Sequence, residues 1–334
     1  VFCLFLLLED VYRLVGAVTV FVFDKTGMEP RGANPLMEER RKVVSQIALG
    51  IASIPFFSII YGVTKGKYNY VVREVSLKFK DLPKSFDGLT ITQISDIHSG
   101  SFDNEDEVKK GIDLINSLKS DLVLFTGDLV NNRAEEFYPW AEIFKKIEAP
   151  LGKYSSLGNH DYGEYIAWKS PKEKAANFQN LLDNHGKMGF RLLNNENIIF
   201  SRGNEQIALL GVENWGLPPF PQYGDLEKAM EGLDYVPIFK ILLSHDPSHW
   251  DARVLPNRNK VHLTLSGHTH GMQFGIEIPG VWKWSPVKYK YPRWAGLYEE
   301  TGKFLYVNRG FGFIGFPGRV GIWPEITKIT LYSA

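Results

Sequence analysis

The sequence has a single cysteine, Cys3, in 334 residues, which excludes a disulfide within the chain. Cys3 sits in an apolar stretch, far in sequence from any polar motif, so it has no partner for redox chemistry. An excess of one charge is also missing. The 38 basic and 38 acidic residues balance to zero, so nothing marks a nucleic-acid partner. No internal repeat and no low-complexity run breaks the chain into an array or a tail.

Charge is absent altogether from residues 43–63, which contain no Lys, Arg, Asp or Glu. These 21 residues suffice to cross a bilayer whose hydrocarbon core is about 30 Å thick. Pro55 and several serines interrupt the stretch without adding charge. Residues 1–23 are also strongly apolar, although Glu9, Asp10 and Arg13 are costly in lipid unless paired or turned toward other helices. The reading is a membrane region over 1–67, with spans at about 1–23 and 43–63. Because the sequence opens on Val1, this region reads as the remainder of a longer multi-helix segment.

A polar loop, 24–42, separates the two stretches and ends in Glu38-Glu39-Arg40-Arg41-Lys42. Cations abutting a span favour the cytoplasmic side, which places the rest of the chain outside, although Lys65, Lys67 and Arg73 follow on the other flank. The Arg-Arg pair before an apolar run also resembles a twin-arginine export signal, at an unusual internal position.

The remaining 68–334 carries five short polar segments, each directly after an apolar, β-branched run. They are Asp96-Ile97-His98, Gly127-Asp128, Gly158-Asn159-His160-Asp161, His245 and Gly267-His268-Thr269-His270. The runs 89–95, 121–126, 153–157, 239–244 and 261–266 read as strands buried on both faces. Each polar segment therefore begins where a strand ends, the usual place for a site in an open α/β sheet. In extended chain, residues two apart face the same side, so Asp96 with His98, and His268 with His270, can each aim two ligands into one cavity. Taken singly, a histidine at a strand end reads as a hydrogen-bonded structural residue, Gly127-Asp128 as a turn and Asn159 as a cap. Their joint occurrence favours one pool of carboxylate, imidazole and amide ligands. His185, His249 and His262 match no motif and keep the structural reading.

The ordered set D-x-H, G-D, G-N-H-D, H, G-H-T-H resembles the calcineurin-like metallophosphoesterases over roughly residues 70–334. That resemblance implies an α/β fold, a four-layer α/β/β/α sandwich, here preceded by transmembrane helices. It implies one metal held by Asp96, His98 and His270, a second by Asn159, His245 and His268, and Asp128 bridging the two. His160 would stand by the phosphate, stabilising its charge or protonating the leaving oxygen. Asp161 would orient the His160 ring. Two divalent ions roughly 3.5–4 Å apart can grip a phosphoryl oxygen and share a hydroxide, so no protein nucleophile is needed. Without thiolates, the donor set suits Mn, Fe or Zn.

Departures from the wider family narrow the substrate. Protein serine/threonine phosphatases carry G-D-x-x-D-R-G, whereas this chain reads Gly127-Asp128-Leu129-Val130-Asn131-Asn132-Arg133. Periplasmic nucleotidases add a second substrate domain, for which no segment here is long enough. The chain most resembles the bacterial membrane-anchored branch, which includes envelope phosphoesterases and UDP-2,3-diacylglucosamine hydrolases of lipid A synthesis. The expected partners are a phosphate ester, lipid-linked in one reading, and the cytoplasmic membrane. The rival from another class is a metal-free scaffold with the same fold, and the retained ligands and His160 speak against it.

Elsewhere, 75–80 reads as a half-exposed edge strand, 105–118, 135–147 and 172–184 as helices, and 303–307 and 326–331 as strands of the second sheet. The run 281–298 alternates aromatic and basic residues. It fits either an edge hairpin packed on the core or a membrane interface.

Overall fold

The computed structural model describes residues 35–233, 237–278 and 280–334. The expected span 1–23 lies outside the described residues. The chain divides into two compact units, Val1–Tyr61 and Gly62–Ala334.

Helix α1, Pro35–Thr64, contains the uncharged stretch, and its segment Lys42–Thr64 is long and apolar enough to cross a membrane. Ile47, Leu49, Ile54, Phe56 and Phe57 are exposed on it, an arrangement suited to lipid rather than water. The helix begins at Pro35, so it takes in the charged run 38–42, which the polarity alone assigns to a loop. Proline is preorganised for a first helical turn and lacks only an N–H that would be unpaired there.

The second unit is built on two six-stranded sheets. The first contains β1 (Val71–Phe79), β2 (Leu89–Ile94), β3 (Leu122–Phe125), β4 (Lys153–Ser155) and β5 (Arg191–Leu192). The second contains β6 (Glu196–Arg202), β7 (Glu205–Gly211), β8 (Phe239–Leu243) and β9 (Leu263–Ser266). After a two-stranded hairpin, β10 (Ile276–Ile278) and β11 (Trp282–Trp284), the second sheet is completed by β12 (Gly296–Glu300) and β13 (Lys303–Val307). The last strand, β14 (Glu325–Ser333), returns to the first sheet. The orders are β1-β14-β2-β3-β4-β5 and β12-β13-β9-β8-β7-β6.

Strand β14 corrects one expectation: 326–331 belongs to the first sheet, parallel to β1 and antiparallel to β2. Its inward face, Ile329 and Leu331, is as apolar as that of its neighbours, so pattern alone cannot choose between the sheets. The edge strand is β1, paired only to β14, as its alternation requires.

Period-two alternation splits each strand between two cores. In β3, Leu122 and Leu124 face the other sheet while Val123 and Phe125 face helices. In β7, Ile207 and Leu209 face the first sheet while Ala208 and Leu210 face outward. Burying each such Leu, Ile or Phe is worth about 1.5–3 kcal/mol.

The outer layer on the first sheet is α2 (Glu105–Ser117), a short α3 (Ala141–Phe144) and α4 (Pro171–Lys187). Asn104 caps α2 and Ser170 caps α4, each accepting from the backbone N–H three residues on. The expected helix 135–147 is mostly a 3₁₀ turn, Ala134–Trp140, which contains Pro139 and reaches α-geometry only in α3. The second sheet is covered by α5 (Leu226–Ala229) and a π-turn at Trp250–Val254. The result is a four-layer α/β/β/α sandwich.

Candidate metal centre

Strands β2, β3 and β4 run parallel in one sheet, and β8 and β9 in the other. Their carboxyl ends bring the five polar segments together; four of them line one cleft of about 470 Å³, and His245 is buried beneath it. The loops are tied to one another through the backbone: Asp96 N donates to Gly127 O and Gly267 N to His245 O, both at 2.9 Å. Close approach explains two glycines. A Cβ on Gly267 would lie 1.9 Å from Ser95 Oγ, and one on Gly158 would lie 2.2 Å from Asp128 Oδ1.

Five of the seven expected ligands have left-handed backbone: Asp96 (φ 52°), His98 (45°), Asp128 (62°), His268 (69°) and His270 (50°). Each such residue costs on the order of 1–3 kcal/mol, a strain found where geometry serves a site.

The side chains form two groups. Ligand atoms of Asp96, His98 and His270 lie within 4.8 Å of one another, as do those of Asp128, His245 and His268. In the first, His98 Nε2 is 3.0 Å from His270 Nε2, which is 3.2 Å from Asp96 Oδ1. Asp128 stands between the groups, with Oδ2 3.5 Å from His98 Nε2 and 3.1 Å from His245 Nε2. Asn159 Oδ1 joins the second group through His268 Nδ1 at 2.8 Å. All seven expected ligands therefore meet.

The donor chemistry fits cations. His245 Nδ1 donates to Thr126 O at 2.7 Å, which fixes the tautomer and leaves the Nε2 lone pair pointing inward. That Nε2 is buried and makes no hydrogen bond. A buried nitrogen 3.1 Å from a carboxylate oxygen calls for positive charge between them, a metal ion or, without one, a proton; burial pushes the ring down, but the charge of Asp128 outweighs it and raises the ring to about 10. The field agrees: burial pushes the Asp128 carboxyl up, but the His245, His160 and His98 rings outweigh it and hold the group well below the usual carboxylate range.

Asp161 requires a correction. It makes no bond to the His160 ring, whose Nδ1 donates instead to Asn131 O at 2.7 Å. The Asp161 carboxylate accepts from Asp128 N (2.9 Å), Gly158 N (2.8 Å) and Leu129 N (2.8 Å). The left-handed turn at Asp128 gathers these amides into a nest that suits an anion. Asp161 is thus a positioning residue that locks two ligand loops together. Burial, then the charge of Asp128, raises its carboxyl to about 7 against those bonds.

Sequence reading missed two residues. Asp246 is fully buried, 3.4 Å from His268 Nε2. Tyr291 Oη lies 2.8 Å from the same nitrogen and donates to Asp246 at 3.3 Å. The pair fixes the His268 ring so that Nδ1 faces the centre. The only sequence signal for Asp246 is adjacency to His245, and for Tyr291 its place in the aromatic run. His185 and His249 bond Ser155 and Ser244 by Nδ1, and His262 Nδ1 accepts from Lys240 N.

Residues 89–272 match the family model of calcineurin-like phosphoesterases, and residues 1–67 match a model described as calcineurin-like phosphoesterase, transmembrane domain. The chain is 32% identical to the metallophosphoesterase YkuE of Bacillus subtilis, over 78% of this chain and 85% of that one. It is 30% identical to the transmembrane protein with metallophosphoesterase domain of Danio rerio, over 82% of this chain and 60% of that one, and so spans under two thirds of that relative. The UDP-2,3-diacylglucosamine pyrophosphatase LpxG of Chlamydia trachomatis is 29% identical, over 70% of this chain and 81% of its own length. The chain is thus a membrane protein that belongs to the calcineurin-like phosphoesterases, which are metal-dependent hydrolases of phosphoric esters.

Proposed function

We propose that this chain is a membrane-anchored dinuclear phosphoesterase acting on a phosphodiester, pyrophosphate or phosphomonoester, with a membrane region over 1–67 and a catalytic domain over 68–334. The observation that carries this reading is the meeting of two ligand groups at Asp128, whose carboxylate lies 3.1 Å from the buried Nε2 of His245 and 3.5 Å from that of His98. Asp96, His98 and His270 would hold one ion, Asn159, His245 and His268 the other, and Asp128 both. When bound, the ions supply Lewis acidity toward a phosphoryl oxygen and activate water near neutral pH. His160 lines the cleft with its Nδ1–H committed to Asn131, so its Nε2 is free to meet a phosphate oxygen or a leaving group. Asp246 and Tyr291 hold His268, and Asp161 holds the loops.

The second reading, a UDP-2,3-diacylglucosamine-type pyrophosphohydrolase of lipid A synthesis, draws support from the Chlamydia relative and from the apolar Phe220, Met272, Val287 and Ile314 along the cleft. The full chain in detergent, loaded with manganese, is expected to hydrolyse a phosphomonoester or a phosphodiester. Turnover confined to the UDP-linked lipid moves the assignment to the second reading. Metal-loaded protein inert on the whole panel would remove the hydrolase assignment.

Arg40, Arg41 and Lys42 abut the span and should be held inside, which puts the catalytic domain outside the cytoplasm. Ser201→Cys, at an exposed position of β6, is then expected to react with a membrane-impermeant maleimide in cells with an intact cytoplasmic membrane and a permeabilised outer one. Labelling only after the cytoplasmic membrane is broken reverses the topology. It would also favour the lipid A reading, whose substrate is cytosolic.

A further inference from the structure

The segment that enters the β10–β11 hairpin, a tight turn over His270–Gln273 followed by an extended run into β10, is inside out. From residue 272 to 278, Met272, Phe274, Ile276 and Ile278 point to solvent, Met272 with 57% of its surface exposed, while Gln273, Gly275 and Glu277 point into the protein. The inward residues are fixed by specific bonds. Gln273 accepts from Ile314 N and donates to the carbonyls of Phe316 and Gly318. Glu277 pairs with Arg73 and with Arg309, each at 2.7 Å. A one-residue slip would put the apolar side inward, and these bonds forbid it. On β11, Trp284 stands opposite Ile276 and Trp282 opposite Ile278, so both fall on the same outer face. Trp282 is 52% exposed and Val281, at the tip, 79%. Beyond the hairpin, Lys288, Tyr289 and Lys290 are exposed in turn.

Chain connectivity bears on what this face can meet. Gly62, the first residue of the second unit, still belongs to the apolar segment Lys42–Thr64. Its carbonyl accepts from Arg319 N at 3.1 Å, Val320 N donates to Gln273 O at 2.8 Å, and Gly275 N donates to Val320 O at 2.9 Å. One segment, 319–320, therefore separates Gly62 from the inverted segment at Gln273 and Gly275. That is two chain spacings, about 10 Å.

We propose that the β10–β11 hairpin is a second membrane contact of this unit. Ile276, Ile278, Val281 and Trp282 enter the lipid interface, where an indole ring is at home, and Lys288 and Lys290 meet headgroup phosphates. Resting on the phosphoesterase reading above, the contact also defines the substrate class. Pro286, Val287, Lys290 and Tyr291, which follow the hairpin, form one wall of the metal cleft, and Met272 belongs to both the cleft and the turn that leads into the hairpin. The cleft thus opens beside the apolar face, and its substrate is a phosphate ester carried on a membrane lipid.

The test uses the full chain in phosphatidylcholine–phosphatidylglycerol vesicles, with Cys3→Ser and an environment-sensitive fluorophore on Val281→Cys or, for comparison, on Ser201→Cys. The label at 281 is expected to be blue-shifted and quenched by a lipid-borne nitroxide, and the label at 201 to be quenched only by aqueous iodide. Iodide quenching equal at both positions overturns the contact. Protection of 281 from iodide without quenching by the lipid also overturns it, and assigns the face to a second copy or another protein.

For the substrate, the double variant Ile278→Lys and Trp282→Lys is expected to keep its metals and its turnover of a soluble nitrophenyl ester. It should lose about tenfold on a phosphatidate-type ester in the same vesicles, the lower range of what burying one such side chain is worth. Equal loss on both esters overturns the inference. Soluble esters turned over without any lipid ester would reject the lipid substrate and leave the phosphoesterase reading standing. Failure on both esters would reject that reading, while the fluorescence still decides the membrane contact.

Discussion

Replacing Asp128 with alanine is expected to abolish hydrolysis while the sandwich stays folded. The carboxylate touches side chains of both ligand sets, with Oδ2 3.5 Å from His98 Nε2 and 3.1 Å from His245 Nε2, while Oδ1 accepts from His160 N at 2.8 Å. Its loss leaves Asp96 as the single carboxylate among the clustered residues, too little negative charge for two dications to sit side by side. Charge stabilisation by a metal pair is worth several kcal/mol, so turnover should fall by at least about 10³. Elemental analysis provides the independent readout: two metals per chain in the parent, fewer than two in the variant. Asp128→Asn separates charge from shape, because the amide can still accept from His160 N but carries no charge. It is expected to fold like the parent, with metal content reduced as in the alanine variant. One metal or none per chain in active parent protein would sink the two-metal mechanism, and so would full turnover by Asp128→Ala.

The candidate ligand set is legible because the pattern that marks it is local. Each follows a short β-branched run, so strand end and ligand can be read from the same few residues, and the structure brings Asp96, His98, Asp128, Asn159, His245, His268 and His270 together. What surrounds them was not legible in the same way. Asp161 sits next to His160 in sequence, and adjacency suggested a bond between them. The left-handed turn at Asp128 directs three backbone N–H groups to that carboxylate instead, and a backbone conformation is not written in any one side chain. Asp246 and Tyr291 reach His268 from segments 22 residues before it and 23 after it, a meeting fixed only by tertiary packing.

Sheet membership posed a similar problem. Both faces of β14 are largely buried, and nothing in its alternation says whether it joins the first sheet or the second. The inverted segment before the β10–β11 hairpin is the sharpest case. Met-Gln-Phe-Gly-Ile-Glu-Ile has the pattern of an ordinary half-buried strand, and its apolar side would be assigned inward on pattern alone. Only the partners of Gln273 and Glu277 reveal the opposite orientation.

His160→Ala should give the second large effect, of a different kind. His160 is not among the clustered ligands, so the variant is expected to retain both metals while turnover drops roughly 10² to 10⁴, the usual worth of a general acid or base. Its ring is held in place by three neighbours. Asn131 O takes the Nδ1 proton, Tyr165 lies against it with centroids 4.6 Å apart, and His98 meets it edge to face at 5.0 Å. With Nδ1 committed, Nε2 is the nitrogen left for substrate. If it protonates the leaving oxygen, a nitrophenyl ester, whose leaving group needs little help, should lose much less than an alkyl ester. If it serves only to balance phosphate charge, both esters should lose equally. Measuring the two esters on the same metal-loaded preparation separates these roles. Undiminished turnover on both would remove His160 from the mechanism altogether.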